Sequence, residues 1–108
     1  MTPSPLRIGY LVGRFNPLLK GHLALLEQVH AENDRMVILV GSATESRTHK
    51  NPLSFEERKA LLLASFPDAL VLPLPDLPND EEWVRLFEAT LLTGLDSLQI
   101  AGRWAARM

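Results

Sequence analysis

The chain has no cysteine, no apolar run long enough to span a bilayer and no surplus of positive charge. The first absence excludes disulfides, cysteine-ligated zinc and thiol catalysis. The second excludes a transmembrane helix, which needs about 20 mostly apolar residues. Residues 1–5 (MTPSP) do not read as a signal peptide either, so no membrane partner and a cytoplasmic location are expected. The third, a net charge of −2 from 11 Lys and Arg against 13 Asp and Glu, argues against a nucleic-acid partner. Aromatic residues make up only 6% of the chain, so each one beside a motif is weighed individually.

What is present suits one small globular domain over residues 1–108, with 46% hydrophobic and 22% charged residues. Charge is uneven: residues 1–60 hold eight Lys and Arg against six Asp and Glu, and residues 61–108 hold three against seven. Phosphate-binding capacity therefore lies in the first half. Residues 6–12 form a short apolar strand that runs into Gly13. A helix over residues 21–32 carries Leu25, Leu26 and Val29 on one face. Residues 36–40 (MVILV) show no alternation, as in a parallel strand covered on both faces, and run into Gly41 and Ser42.

Ser54 and Glu57 form a capping box for a second helix that ends before Pro67, and residues 69–72 make a third strand. Asp80 is the expected N-cap of a third helix, with Val84, Phe87 and Leu91 on one face and Gly94 at its C-terminal cap. Residues 97–101 then read as a fourth strand ending at Gly102. The order β-α-β-α-β-α-β predicts an α/β fold: a Rossmann-like open parallel sheet of about four strands with flanking helices. Ligands of such sheets bind beyond the carboxyl ends of the strands.

Residues 13–22 (GRFNPLLKGH) join the first strand to the first helix. Glycine lets backbone approach an anion, and a helix N-terminus offers oriented N–H groups. Arg14, Lys20 and His22 add cationic or hydrogen-bonding partners for phosphate. The stretch is neither a Walker motif nor G-x-G-x-x-G. Read without phosphate, it is a helix-entry loop with incidental charges. In residues 41–58 (GSATESRTHKNPLSFEER), Arg47, Lys50 and Arg58 can hold phosphates. Alternatively Asn51, Pro52 and Ser54 only start the second helix, and Arg58 pairs with the glutamates beside Ser54. Trp83 is either a flat platform for a heterocycle or a core partner of Phe87. The three histidines have no spacing that suggests a protein-bound zinc site.

Residues 13–22 resemble the Gly-Arg-Phe-x-Pro-x-His-x-Gly-His signature of adenylyltransferases in the cytidylyltransferase superfamily. Residues 41–58 are similar to the Gly-Ser…Asn-Pro-x-Ser/Thr-x-x-x-Arg stretch of nicotinamide mononucleotide (NMN) adenylyltransferases, of archaeal type or fused to a Nudix domain. Residues 75–84 resemble the Asp…Trp element whose Trp stacks on nicotinamide in that family. The resemblance implies transfer of AMP from ATP to NMN, giving NAD and pyrophosphate, with Mg²⁺ arriving on ATP. It implies catalytic roles for Arg14, His22 and Lys50. It implies ligand contacts for Gly13, Phe15, Asn16, Gly21, Gly41, Ser42, Arg47, Asn51, Arg58, Asp80, Trp83 and Gly102.

Two departures stand out. Leu19 replaces the first histidine of the signature, and Arg103 stands where the family carries Asn after Gly102. The family's further strand and its Ser/Thr-rich helix start with an ATP-gripping Arg have no counterpart before Met108, so the domain reads as incomplete at its C-terminus. The alternatives are a nucleotide-binding protein without turnover, or a transferase with a different acceptor. A truncated sheet edge would favour self-association into a homo-oligomer.

Overall fold

The computed structural model describes the backbone of residues 7–107 and the side chains of residues 7–98. Six elements follow one another: β1 (Ile8–Gly13), α1 (Lys20–Glu32), β2 (Arg35–Gly41), α2 (Phe55–Ser65), β3 (Leu70–Leu74) and α3 (Asp80–Arg107). The strands form one parallel sheet in the order β1-β2-β3, with Ile8 opposite Arg35 and Val37 opposite Leu70.

β2 is central, and its uninterrupted apolar run is buried on both faces, as its lack of alternation predicts. Met36, Ile38 and Val40 pack with Leu26 of α1 and with Leu62 and Phe66 of α2 and its end. Val37 and Leu39 face the other way, onto Leu98, Phe87 and Leu91 of α3. Helices thus cover both faces of the sheet. On α1, Leu26 is buried and Val29 partly so, but Leu25 turns to solvent. On α3, Val84 is exposed while Phe87 and Leu91 pack inward.

The fourth strand is not formed: residues 97–101 continue α3, and the sheet of the described residues has three strands. The reason lies in the spacing of the side chains that touch the sheet. Phe87, Leu91, Gly94 and Leu98 recur every three or four residues, so one helical face reaches the core through Leu98. A five-residue run is too short to outweigh that continuous face. Gly94 is accordingly no cap. A Cβ there would lie 3.0 Å from Leu72 Cδ1 and 3.5 Å from Leu70 Cδ2 and Val37 Cγ1, so glycine sets how closely α3 approaches the sheet.

The start of α3 is also shifted by one residue. The Asn79 side-chain oxygen accepts from the Glu81 and Glu82 amides at 2.9 and 3.1 Å, which makes Asn79 the cap and leaves Asp80 in the first turn. None of the described helices is long and apolar enough to cross a membrane.

Filling the α3–sheet contact should therefore be costly. Gly94→Leu is expected to lower stability by about 1–3 kcal/mol, the usual penalty of overpacking, in urea denaturation. Unchanged stability would contradict the close approach.

Candidate functional site

The carboxyl ends of β1 and β2 lie side by side, and the loops leaving them are tied together by one side chain. Arg58, in the first turn of α2, is 0% exposed. Its Nε donates to the Ser54 carbonyl at 3.1 Å. Its Nη1 donates to the carbonyls of Arg14 at 3.1 Å and Gly41 at 2.8 Å. Its Nη2 donates to those of Ser42 at 3.0 Å and Glu45 at 3.2 Å. A guanidinium has five N–H groups, and all are used. Arg58 therefore keeps no donor for a phosphate, and it does not pair with the glutamates beside Ser54. Burial lowers its pKa, yet a guanidinium stays protonated at any ordinary pH.

Two further ties join the loops. The Asn16 side chain donates to the Leu53 carbonyl at 2.9 Å and accepts from the Leu53 amide at 2.7 Å. Ser42 Oγ donates to Asp76 Oδ2 at 2.8 Å, which links the loop after β2 to the loop after β3. Asp76 is the partner that sequence reasoning missed. It stands seven residues before Trp83, where the Asp-x-x-x-x-x-x-Trp element that residues 75–84 resemble has its Asp. The clamps hold three non-glycine residues in the left-handed region, Phe15 and Ser42 at φ 50° and Arg47 at φ 56°. Such residues cost roughly 1–3 kcal/mol each and persist where the surroundings fix them.

Phe15 and Asn16 are thus supports of the loop. Phe15 is buried under Gly13, where a Cβ would fall 2.8 Å from the ring. The Phe15 ring also meets the His22 ring edge-on at 5.2 Å. His22 Nδ1 accepts from the Leu19 amide at 3.0 Å, so in the neutral ring the proton sits on Nε2, which is left to donate. Gly21 opens onto empty space, and α1 has no side-chain cap because its N-cap is Leu19. The free first-turn amides of α1, His22 Nε2 and the exposed cations Arg14 and Lys20 therefore share one end of the sheet.

In the second loop, Lys50 and His49 are exposed. Arg47 is engaged, pairing with Glu57 at 2.8 Å and donating to the Pro52 carbonyl at 3.1 Å. The Ser54 amide and hydroxyl, followed by Arg47, hold the Glu57 carboxyl below its usual range. Asn51 is 94% buried by difference from its 6% exposure, and its Oδ1 has no partner among the described residues. Ser54 caps α2 through the Glu57 amide at 3.2 Å, as the capping box predicts.

Trp83 is a partner of Phe87, the second of its two expected settings. Its ring stacks on Phe87 at 5.8 Å and 7°, and Phe87 meets Tyr10 at 6.2 Å. Trp83 is nevertheless only half-buried, and Asp80 beside it is exposed. Gly102 lies in the last part of α3 and ends no strand, and the side chains from residue 99 onward fall outside the described residues. No group of three or more His, Asp or Glu among the described residues is arranged to hold a metal ion.

The cytidylyltransferase-like family model matches residues 10–104. The chain belongs to that family. It is 38% identical over 87 residues to the nicotinamide-nucleotide adenylyltransferase of Pyrococcus horikoshii, covering 75% of this chain and 47% of that protein. With the corresponding protein of Methanoculleus marisnigri it shares 38% over 80 residues, covering 70% and 48%. The chain thus spans about half the length of these relatives. Among solved structures, a bifunctional NMN adenylyltransferase/ADP ribose pyrophosphatase from Francisella tularensis superposes with a TM-score of 0.74 at 25% identity, over 82% of this chain and 28% of that one. A structure of such a Francisella protein with AMP and a manganese ion gives 0.68 at 27% identity, over 77% and 27%.

Leu19, the position that departs from the family signature, is 56% exposed, whereas Leu18 packs on the core. Leu19 is therefore not part of the loop's packing. Leu19→His should change stability by no more than about 0.5 kcal/mol, as for an ordinary surface site. A drop in thermal midpoint matching more than about 1 kcal/mol would show that the leucine is structural after all.

Proposed function

We propose that residues 1–108 act as one nucleotidyltransferase domain of the NMN adenylyltransferase kind, binding ATP and NMN in the cytoplasm and joining them into NAD with release of pyrophosphate. The observation that carries this reading is the convergence of two clamped loops on one end of the sheet. They bring Arg14, Lys20, His22 and the amides of α1 to one end of the sheet, and the Trp83 ring lies in the first turn of α3, which covers the sheet's other face.

The reaction is an in-line attack of the NMN phosphate oxygen on the α-phosphorus of ATP. A bond to phosphorus forms as the bond to the pyrophosphate oxygen breaks, and no protein nucleophile takes part. The chain's contribution is orientation and charge stabilisation. Arg14, Lys20 and Lys50 hold phosphate oxygens, and His22 donates from Nε2 to the charge that develops on them. Gly13, Gly21 and Gly41 leave room for the nucleotide to approach the backbone. The outer face of Trp83 stacks on the pyridinium ring, which an indole favours through cation–π attraction, with the Asp80 carboxylate close by. Mg²⁺ would arrive bound to ATP, and no step is assigned to it.

A second reading, nucleotide binding without turnover, is favoured by Leu19. That side chain stands at the N-cap of α1, offering no donor where the family signature carries a histidine. Losing one preorganised donor lowers turnover by about 10²–10³-fold, while ground-state binding suffers less.

Assaying NAD formation together with NMN-dependent tryptophan fluorescence separates the outcomes. We expect a saturable fluorescence change that is lost in Trp83→Ala. Turnover should lie at least about 100-fold below that of a complete family member. Family-like turnover would show that another group replaces the missing histidine, and no binding of ATP or NMN would overturn the reading.

A further inference from the structure

Arg58 has a peculiarity that clamping alone does not require: it is a fully buried cation facing only neutral carbonyls. The ion pairs among the described residues join His30 to Asp68 and Arg47 to Glu57, and neither neutralises it. A buried charge without a counter-charge is expensive. Four of its five acceptors come from the two loops that form the candidate phosphate site.

The carbonyl and amide of a trans peptide point in opposite directions. Drawing in the carbonyls of Arg14, Gly41 and Glu45 therefore turns the amides of Phe15, Ser42 and Ser46 away from Arg58. The Phe15 and Ser46 amides have no acceptor among the described residues, whereas the Ser42 amide faces the Leu74 carbonyl at the end of the β2–β3 ladder and the Ala43 amide donates to that carbonyl at 3.3 Å. The left-handed conformation of Phe15 is one that lets successive amides converge on an anion.

We propose that Arg58 is a positioning residue for polyphosphate binding. It orients the Phe15 and Ser46 amides towards the ligand and supplies from behind them a buried positive charge that the bound anion neutralises. The proposal rests on the nucleotidyltransferase reading and deepens it: the chain binds the polyphosphate of a nucleoside triphosphate partly through a cation that never touches it. Because this charge is shielded from solvent ions, its effect persists in salt, unlike that of exposed Arg14 and Lys20.

The test is calorimetry with inorganic pyrophosphate on wild type, Arg58→Lys and Arg58→Gln. Lysine keeps the charge with fewer donors, and glutamine keeps donors without the charge. Wild type should bind, the lysine variant should stay within about threefold of it, and the glutamine variant should bind at least about tenfold more weakly. The gap between the two variants should be retained when salt is raised from roughly 0.05 to 0.3 M. Equal losses in both variants, or no loss in either, would reduce Arg58 to a structural clamp and overturn the proposal.

Should Arg58→Gln fail to fold, the thermal midpoint of Arg58→Lys decides. A pyrophosphate-induced rise like that of wild type supports the proposal, and no rise refutes it. Absence of pyrophosphate binding in wild type is a different failure, since it removes the phosphate site itself.

Discussion

The candidate site depends on one buried guanidinium. Without the Arg58 side chain, the carbonyls of Arg14, Gly41 and Glu45 would lose the donors that draw them inward, while those of Ser42 and Ser54 would keep only the backbone amides of Glu45 and Arg58. A buried unsatisfied carbonyl costs about 1–3 kcal/mol, so the two loops would not hold their present course. The left-handed residues and the bonds from Asn16 and Ser42 all presuppose that course. The sheet beneath is a conventional apolar sandwich around β2, and Arg58 converts its carboxyl end from loose loops into a shaped surface.

Much of this could be read in the chain itself, and the misses have physical causes. β2 was legible because a both-faces-buried parallel strand leaves an unbroken apolar run, and α2 because Ser54 and Glu57 satisfy each other locally. The fate of residues 97–101 was not. Five residues fit a strand or a helix, and only Leu98 packing in line with Phe87, Leu91 and Gly94 decides for the helix. Of the site residues, Arg14, His22 and Lys50 lie exposed or half-exposed where ligand chemistry can use them. Phe15, Asn16 and Arg58 serve inward instead. A motif records which residues a site needs, without saying which touch the ligand and which hold the loops that do.

The site also has a deficit. The helix that should greet a phosphate begins at Leu19, an exposed side chain with nothing to donate, while its backbone amide still fixes the His22 ring. Binding groups are thus better represented than groups that act on a transition state. The chain also spans about half of the length of the relatives it resembles. Its cations and amides suit the polyphosphate half of an ATP-dependent transfer, and the Trp83–Phe87 stack suits a flat ring beside it.

Hydrogen exchange read by mass spectrometry, with and without ATP, tests most directly whether the two clamped loops form a phosphate site. Added ATP should slow exchange in residues 13–22 and 41–51, and leave the amides of α3 beyond Gly94 unchanged. Protection confined to α3 or the outer face of α1, or no protection at saturating ATP, would contradict the account.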